Sequence, residues 1–329
     1  MGGSLKRGHM RSVEPCKAVG VFGAMMIGIL LAASAAGQVA GTLSEAAAPG
    51  KNYDKAEFRL WYPSDVVRLR AVVVLMPGSN GDGRASVDDP IWQAFAARHN
   101  LALLGCRYTD KPHDEAYIEH YVNVSQGSGQ ALRDTLAAFA RRSNHAELET
   151  APLLMWGMSA GGEFNYEFVA WKPERVIAFV VNKGGIYYSA LVSRAARSVP
   201  GILFVGEKDL AFRTNTIVGL FAVNRRAGAL WALAQEPGAG HIVGRSREMA
   251  VVFFEDVLPL RLPELASTGG GPPALRLLNE RAGFLGDLNT RTFQKQGDAA
   301  VPNYPTAWLA TERVARAWVA LVSERPFDR

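Results

Sequence analysis

Ser159 stands in Gly157-Met158-Ser159-Ala160-Gly161, a G-x-S-x-G run that closes the apolar stretch 152–156. A strand that turns sharply into a helix around such a serine leaves its hydroxyl exposed above the sheet edge. Glycines on either side let strand and helix cross at close range. Downstream, Phe164, Phe168 and Trp171 recur at helical spacing, so the segment reads as strand, elbow and helix. A serine hydroxyl is a poor nucleophile until a base takes its proton, and the base needs a carboxylate to fix its tautomer and stabilise its charge.

Where a serine sits on an elbow of this kind, the acid follows it in the chain and the histidine follows the acid. Only one histidine lies beyond Ser159, and it is His241, in the glycine-rich run Glu236-Pro-Gly-Ala-Gly-His241 after an apolar stretch. The acid should follow a strand between the two. The stretch 201–205 runs into Gly206-Glu207-Lys208-Asp209, where Glu207 and Asp209 both qualify by position. Asp209 is preferred, because the turn needs residues before the acid can point back at the histidine. An oxyanion hole needs two backbone N–H groups, one from the residue after the nucleophile, here Ala160. The second is expected from Ser79 or Asn80, in the run Pro77-Gly-Ser-Asn-Gly-Asp-Gly83. That run lacks the spacing of phosphate-binding and dinucleotide-binding loops. Lys183, Tyr187 and Tyr188 follow another apolar stretch at the same expected edge, either to bind an acidic or aromatic part of a substrate or as ordinary loop residues. No cluster of His, Cys and carboxylates stands out at ligand spacing, so neither a metal nor another cofactor is expected.

The elements needed to hold these residues are legible as an alternation. Stretches 71–76, 101–106, 153–156, 176–181, 201–205 and 229–234 are continuously apolar, as strands buried on both faces are, whereas 57–62 alternates like a half-buried edge strand. Between them, helical spacing is read from Asp89-Pro90 to residues 99–100, over 130–142, after the elbow, and over 216–224. Strands and helices in this rhythm predict an α/β fold, with a mostly parallel central sheet and helices on both faces. The polar and aromatic stretch 109–121 follows a strand's carboxyl end, where it can form a pocket wall.

The 329 residues carry a formal charge of +5. Much of this surplus sits in the first 37 residues, where Lys6, Arg7, Arg11 and Lys17 face only Glu14 and precede an uncharged run over 18–36. That is signal-peptide architecture, or an N-terminal membrane anchor if it is not cleaved. The remainder is close to neutral and has no basic stripe interleaved with aromatics, which argues against a nucleic-acid partner. Cys16 and Cys106 are the only cysteines, so a chain without its leader has no intramolecular disulfide. Small residues and a Pro-Gly pair suggest a linker over 38–52, followed by a catalytic domain over 53–262. Beyond the loop Ser267-Thr-Gly-Gly-Gly-Pro-Pro273, a C-terminal extension over 263–329 holds enough apolar residues to pack back on the domain, ending in a helix near 311–323.

Taken together, Pro77-Gly78-Ser79, residues 157–161, Gly206-Glu-Lys-Asp209 and Gly240-His241 resemble the α/β-hydrolase superfamily over roughly residues 57–258. Within it the chain is similar to secreted bacterial esterases related to feruloyl and acetylxylan esterases and to polyhydroxyalkanoate depolymerases. The resemblance implies a secreted or periplasmic serine carboxylester hydrolase acting on short-acyl, sugar-linked or aromatic esters through an acyl-enzyme. A serine peptidase and a catalytically inactive binding protein of the same fold are the alternatives. The C-terminal extension and the missing disulfides depart from better-known members.

Overall fold

The computed structural model describes residues 41–263, 273–297 and 306–327. The expected leader lies outside them. Among the described residues no helix is long and apolar enough to cross a membrane.

Eight strands form the central sheet: β1 (Gly41–Ala47), β2 (Lys55–Tyr62), β3 (Ala71–Met76), β4 (Leu101–Thr109), β5 (Leu153–Met158), β6 (Val176–Asn182), β7 (Gly201–Gly206) and β8 (Trp231–Glu236). Their spatial order is β1-β2-β4-β3-β5-β6-β7-β8. The β1-β2 and β2-β4 pairs are antiparallel, and every pair from β4 to β8 is parallel. The helices are α1 (Pro90–His99), α2 (Ser128–Ser143), α3 (Ala160–Trp171), α4 (Arg194–Arg197), α5 (Ala211–Arg226), α6 (Ser246–Arg261) and α7 (Glu312–Val322).

The continuous apolar runs have a simple cause. Side chains alternate between the two faces of a strand, and both faces of this sheet are covered. Along β3, Val72, Val74 and Met76 pack with Leu132, Leu136, Phe139, Phe164 and Phe168 of α2 and α3. Ala71, Val73 and Leu75 pack on the other side, with Trp92 and Phe95 of α1, Phe253 and Phe254 of α6, and Trp318 of α7. Deletion of any one of these large side chains would leave a cavity costing about 3–5 kcal/mol.

One boundary expectation is corrected. The segment read as a linker over 38–52 carries β1, whose residues alternate between partial burial and exposure and pair with β2 in register from Gly41–Tyr62 to Ala47–Ala56. β2 is therefore an inner strand, with β1 outside it. The C-terminal extension forms a second, three-stranded antiparallel sheet of β9 (Phe284–Asp287), β10 (Thr292–Lys295) and β11 (Ala307–Leu309), in the order β10-β9-β11. It ends in α7, where the Thr311 side chain accepts from Val314 N–H as an N-cap. Trp318 is fully buried, and its indole N–H donates to Leu233 O of β8 at 2.8 Å. The extension is thus built into one face of the core.

Candidate active site

The elbow forms where β5 passes into α3. Ser159 has φ 53° and ψ −125°, a strained conformation for a residue with a side chain, and its N–H donates to Asn182 O at 2.8 Å. The crossing leaves no room for Cβ atoms at its two glycines. A Cβ on Gly157 would lie 2.2 Å from Gly161 O, and one on Gly161 would lie 2.4 Å from Pro77 O. The serine sits at the edge of the fold's interior, only 8% exposed.

β7 and β8 deliver the two partners. Asp209 follows β7 by one tight turn, with its N–H on Gly206 O at 3.2 Å. Its side chain is 2% exposed, and one carboxylate oxygen accepts from Leu210 N–H at 2.7 Å. The loop after β8 is laced to that turn: Glu207 N–H donates to Glu236 O at 3.1 Å and Lys208 N–H to Ala239 O at 2.8 Å. Asp209 Oδ2 lies 2.9 Å from His241 Nδ1, and His241 Nε2 lies 3.0 Å from Ser159 Oγ. With the Nδ1 proton held by Asp209, Nε2 presents a lone pair to the serine hydroxyl. Such a chain can draw a proton from Ser159 as Oγ attacks an electrophile. Glu207, the other candidate acid, points elsewhere and accepts from Gly238 N–H at 2.6 Å.

The loop after β3 faces the elbow. Asn80 N–H is occupied, donating to Tyr121 Oη at 3.2 Å, while its side-chain oxygen accepts from Asp110 N–H at 2.7 Å. Asn80 thereby braces the 109–121 loop and is corrected as an oxyanion donor. Ser79 N–H has no such partner among the described residues, and Ala160 N–H, at the first position of α3, has no carbonyl within the helix to receive it. These two N–H groups are therefore free to donate to a group held above Ser159. An open cleft of about 550 Å³ lies above them, lined by Gly78, Ser79, Tyr117, Glu119, Met158, Ser159, Arg213 and His241.

None of the three expected substrate-binding residues lines that cleft. Lys183 is fully buried. Its left-handed backbone (φ 57°) sends the side chain inward, where Nζ donates to Glu236 Oε2 at 2.7 Å and to Asn182 Oδ1 at 3.2 Å. The other Glu236 oxygen accepts from Arg245 N–H at 2.7 Å, so the pair ties the end of β6 to both ends of the loop that carries His241. Tyr187 packs edge-on against Tyr166, with 5.0 Å between ring centroids, and burial raises its phenol's pKa. Tyr188 is 46% exposed and borders a separate depression with Lys51, His120 and Gln126. Arg213, Glu119 and Tyr117 line the cleft in their place. Arg213 lies on a helix with no sequence signal to distinguish it, whereas Tyr117 and Glu119 fall in the loop expected to form a wall.

Glu163, in the first turn of α3, is 2% exposed, and burial pushes its carboxyl up to about 8. One of its oxygens accepts from Gly185 N–H at 2.5 Å and Ile186 N–H at 3.2 Å. Among the described residues one group brings possible metal-ligating atoms within 4.8 Å of one another, namely His113, Glu115 and His120. Its spacing along the chain does not mark it as a ligand set. Each imidazole is already engaged with a carboxylate, His120 with Glu115 at 2.6 Å and His113 with Asp110 at 3.3 Å.

No family model and no curated protein matches the sequence. Solved structures do align with it. A poly(3-hydroxybutyrate) depolymerase, LpqC, from Bordetella parapertussis aligns at 19% identity with a TM-score of 0.47, covering 69% of this chain and 92% of that one. Poly(aspartic acid) hydrolase-1 from Sphingomonas sp. KT-1 aligns at 14% identity with a TM-score of 0.46, covering 64% and 97%. The S-formylglutathione hydrolase FrmB from Staphylococcus aureus aligns at 10% identity with a TM-score of 0.45, covering 64% and 94%. With its mostly parallel eight-stranded sheet, its strained serine between β5 and α3, and its serine, acid and histidine in that order along the chain, the protein has the α/β-hydrolase fold.

Proposed function

We propose that the protein is a serine carboxylester hydrolase. In this reading Ser159 Oγ attacks the ester carbonyl while His241 Nε2 takes its proton and Asp209 steadies the imidazolium. Ala160 and Ser79 N–H groups receive the charge that develops on the carbonyl oxygen. Collapse of the tetrahedral adduct breaks the ester C–O bond, the alcohol leaves with the proton from His241, and an acyl group remains on Ser159. Water, deprotonated by the same histidine, then releases the acid and restores the serine. The observation that carries this reading is the continuous chain from Asp209 through His241 to Ser159, at 2.9 and 3.0 Å, opening on a cleft.

The shape of the cleft supports a reading of the substrate class. Between α3 and Asp209 the helical material is the four-residue α4 and a single 3-10 turn, which offers little for a lid over a long acyl chain. A short acyl group, on a sugar-linked or aromatic ester, suits this open, partly polar space. The signal-peptide reading of the first 37 residues supports a secreted or periplasmic enzyme, or a membrane-anchored one if the leader stays.

The test uses protein lacking residues 1–37. Labelling by a fluorophosphonate and hydrolysis of 4-nitrophenyl acetate should both vanish in Ser159→Ala, while its circular dichroism stays that of the wild type. Turnover by Ser159→Ala near the wild-type rate would end this reading. A wild-type protein that neither labels nor turns over an ester would favour an inactive binding module, and cleavage of a peptide amide above every ester would favour a peptidase.

A further inference from the structure

The chemistry above accounts for Ser159, His241, Asp209 and two backbone N–H groups, and leaves Arg213 without a task. Arg213 stands near the start of α5, four residues past Asp209, and lines the same cleft as Ser159 and His241. Its guanidinium packs over two adjoining rings, 5.1 Å from the centroid of Phe212 and 5.5 Å from that of Tyr117. Those rings are themselves 5.5 Å apart. Tyr117 reaches this position from a left-handed backbone, φ 62°, which bulky side chains rarely adopt and which tends to be kept where a site requires it.

The guanidinium is positioned but not satisfied. Among the described residues no carboxylate oxygen lies within 4.0 Å of it, and its Nε is buried without an acceptor. The acid behind it, Glu163, is held largely protonated by burial and spends one oxygen on Gly185 and Ile186 N–H. Glu119 lines the cleft as well, yet makes no ion pair with Arg213. A fixed planar fork with free N–H donors matches a carboxylate, which it can bind through two parallel hydrogen bonds.

We infer that Arg213 is the specificity-determining residue of the cleft, and that it binds a carboxylate carried by the ester substrate. The substrate class is therefore an anionic ester, the half-ester of a dicarboxylic acid or the ester of a hydroxy acid, bound with its ester group over Ser159 and its carboxylate on the Arg213 fork. This inference rests on the hydrolase reading and narrows it. Tyr117 and Phe212 are positioning residues here, because they act by fixing the guanidinium.

The experiment compares two pairs of esters that differ only in charge, on the enzyme lacking residues 1–37. 4-Acetoxybenzoate against 4-acetoxybenzamide places the charge on the leaving group. The 4-nitrophenyl monoester of adipic acid against its neutral terminal amide places it on the acyl group. The readout is the ratio of kcat/KM within each pair, which a general loss of folding or activity does not move. Wild-type enzyme should favour the carboxylate in one pair by about tenfold to a hundredfold, the range expected of hydrogen bonds to a charged group. Most of that preference should appear in KM and should shrink as salt is raised. Arg213→Gln should bring the ratio close to one, Arg213→Lys should restore part of it, and Glu119→Gln should leave the preference in place.

A ratio near one in the wild type for both pairs, or a preference that survives Arg213→Gln, would overturn the inference. If the wild type hydrolyses none of the four esters, or Ser159→Ala matches it, the hydrolase reading falls and this one with it. Loss of the charge preference alone leaves the hydrolase reading standing.

Discussion

Replacement of Lys183 by methionine separates a structural role from a substrate-binding one. Lys183 is fully buried and its Glu236 partner is 7% exposed, so removing the ammonium leaves a carboxylate in the interior with only the Arg245 N–H to receive it. Breaking a buried pair in this way costs about 3–5 kcal/mol. In a domain of this size each kcal/mol lowers Tm by roughly 2 °C, so Lys183→Met should fall by about 6–10 °C in a thermal melt. Lys183→Met combined with Glu236→Gln should recover half or more of that loss, since the second change removes the stranded charge. At a temperature where the variant is folded, KM for a neutral ester should stay within about twofold of wild type, because Lys183 lies outside the cleft. A Tm change under about 1 °C, or a double variant no better than the single one, would refute the argument. A raised KM with an unchanged Tm would return Lys183 to substrate binding.

Two more outcomes follow from the site. Asp209→Asn should lower kcat by up to about ten-thousandfold by holding His241 in the wrong tautomer. Glu207→Gln, which loses only a contact to Gly238 N–H, should change kcat by less than about threefold, and steady-state kinetics on 4-nitrophenyl acetate distinguishes them. The buried Glu163 gives a stability effect with a defined sign. Its folded-state pKa of about 8 lies above the ordinary carboxylate value of 4.5, so between those values the folded protein holds a proton that the unfolded chain has lost. The favourable contribution is complete below pH 4.5 and is lost as pH rises through about 8. Denaturant unfolding should therefore show wild type losing stability from pH 5 to 9 relative to Glu163→Gln. Parallel pH profiles for the two proteins would contradict this.

The sheet was legible because burial on both faces writes itself as uninterrupted apolar runs, and the order of the chemistry-bearing residues then narrowed serine, acid and histidine to one arrangement. Asp209 was separable from Glu207 because two more residues let the turn close back on Gly206 before the carboxylate points at His241. β1 was not legible: an outer strand packed on one side only needs few apolar residues, and Gly-Thr-Leu-Ser-Glu-Ala-Ala reads as linker composition. Lys183 misled because a lysine after a strand suggests solvent, whereas its left-handed backbone and a glutamate far along the chain draw it inside. Ser79 and Asn80 could not be told apart until the bond from Asn80 N–H to Tyr121 Oη was seen. Arg213 carried no pattern at all, since its place depends on how α5 meets the 109–121 loop.

The C-terminal extension bears on how this protein behaves in a crowded solution. β8 is the last strand of the parallel sheet, and a bare outer strand offers a row of backbone groups on which a second chain can add. Here the indole of Trp318 occupies one of those carbonyls, at Leu233, and β11 and α7 lie against the same strand. A chain ending at Leu262 would keep Ser159, Asp209 and His241, yet expose the open side of β8 together with the apolar face that Val314, Trp318 and Leu321 now cover. Its failure would be one of colloidal behaviour rather than chemistry, with molecules joining edge to edge. The extension is therefore what closes the β8 edge of the sheet.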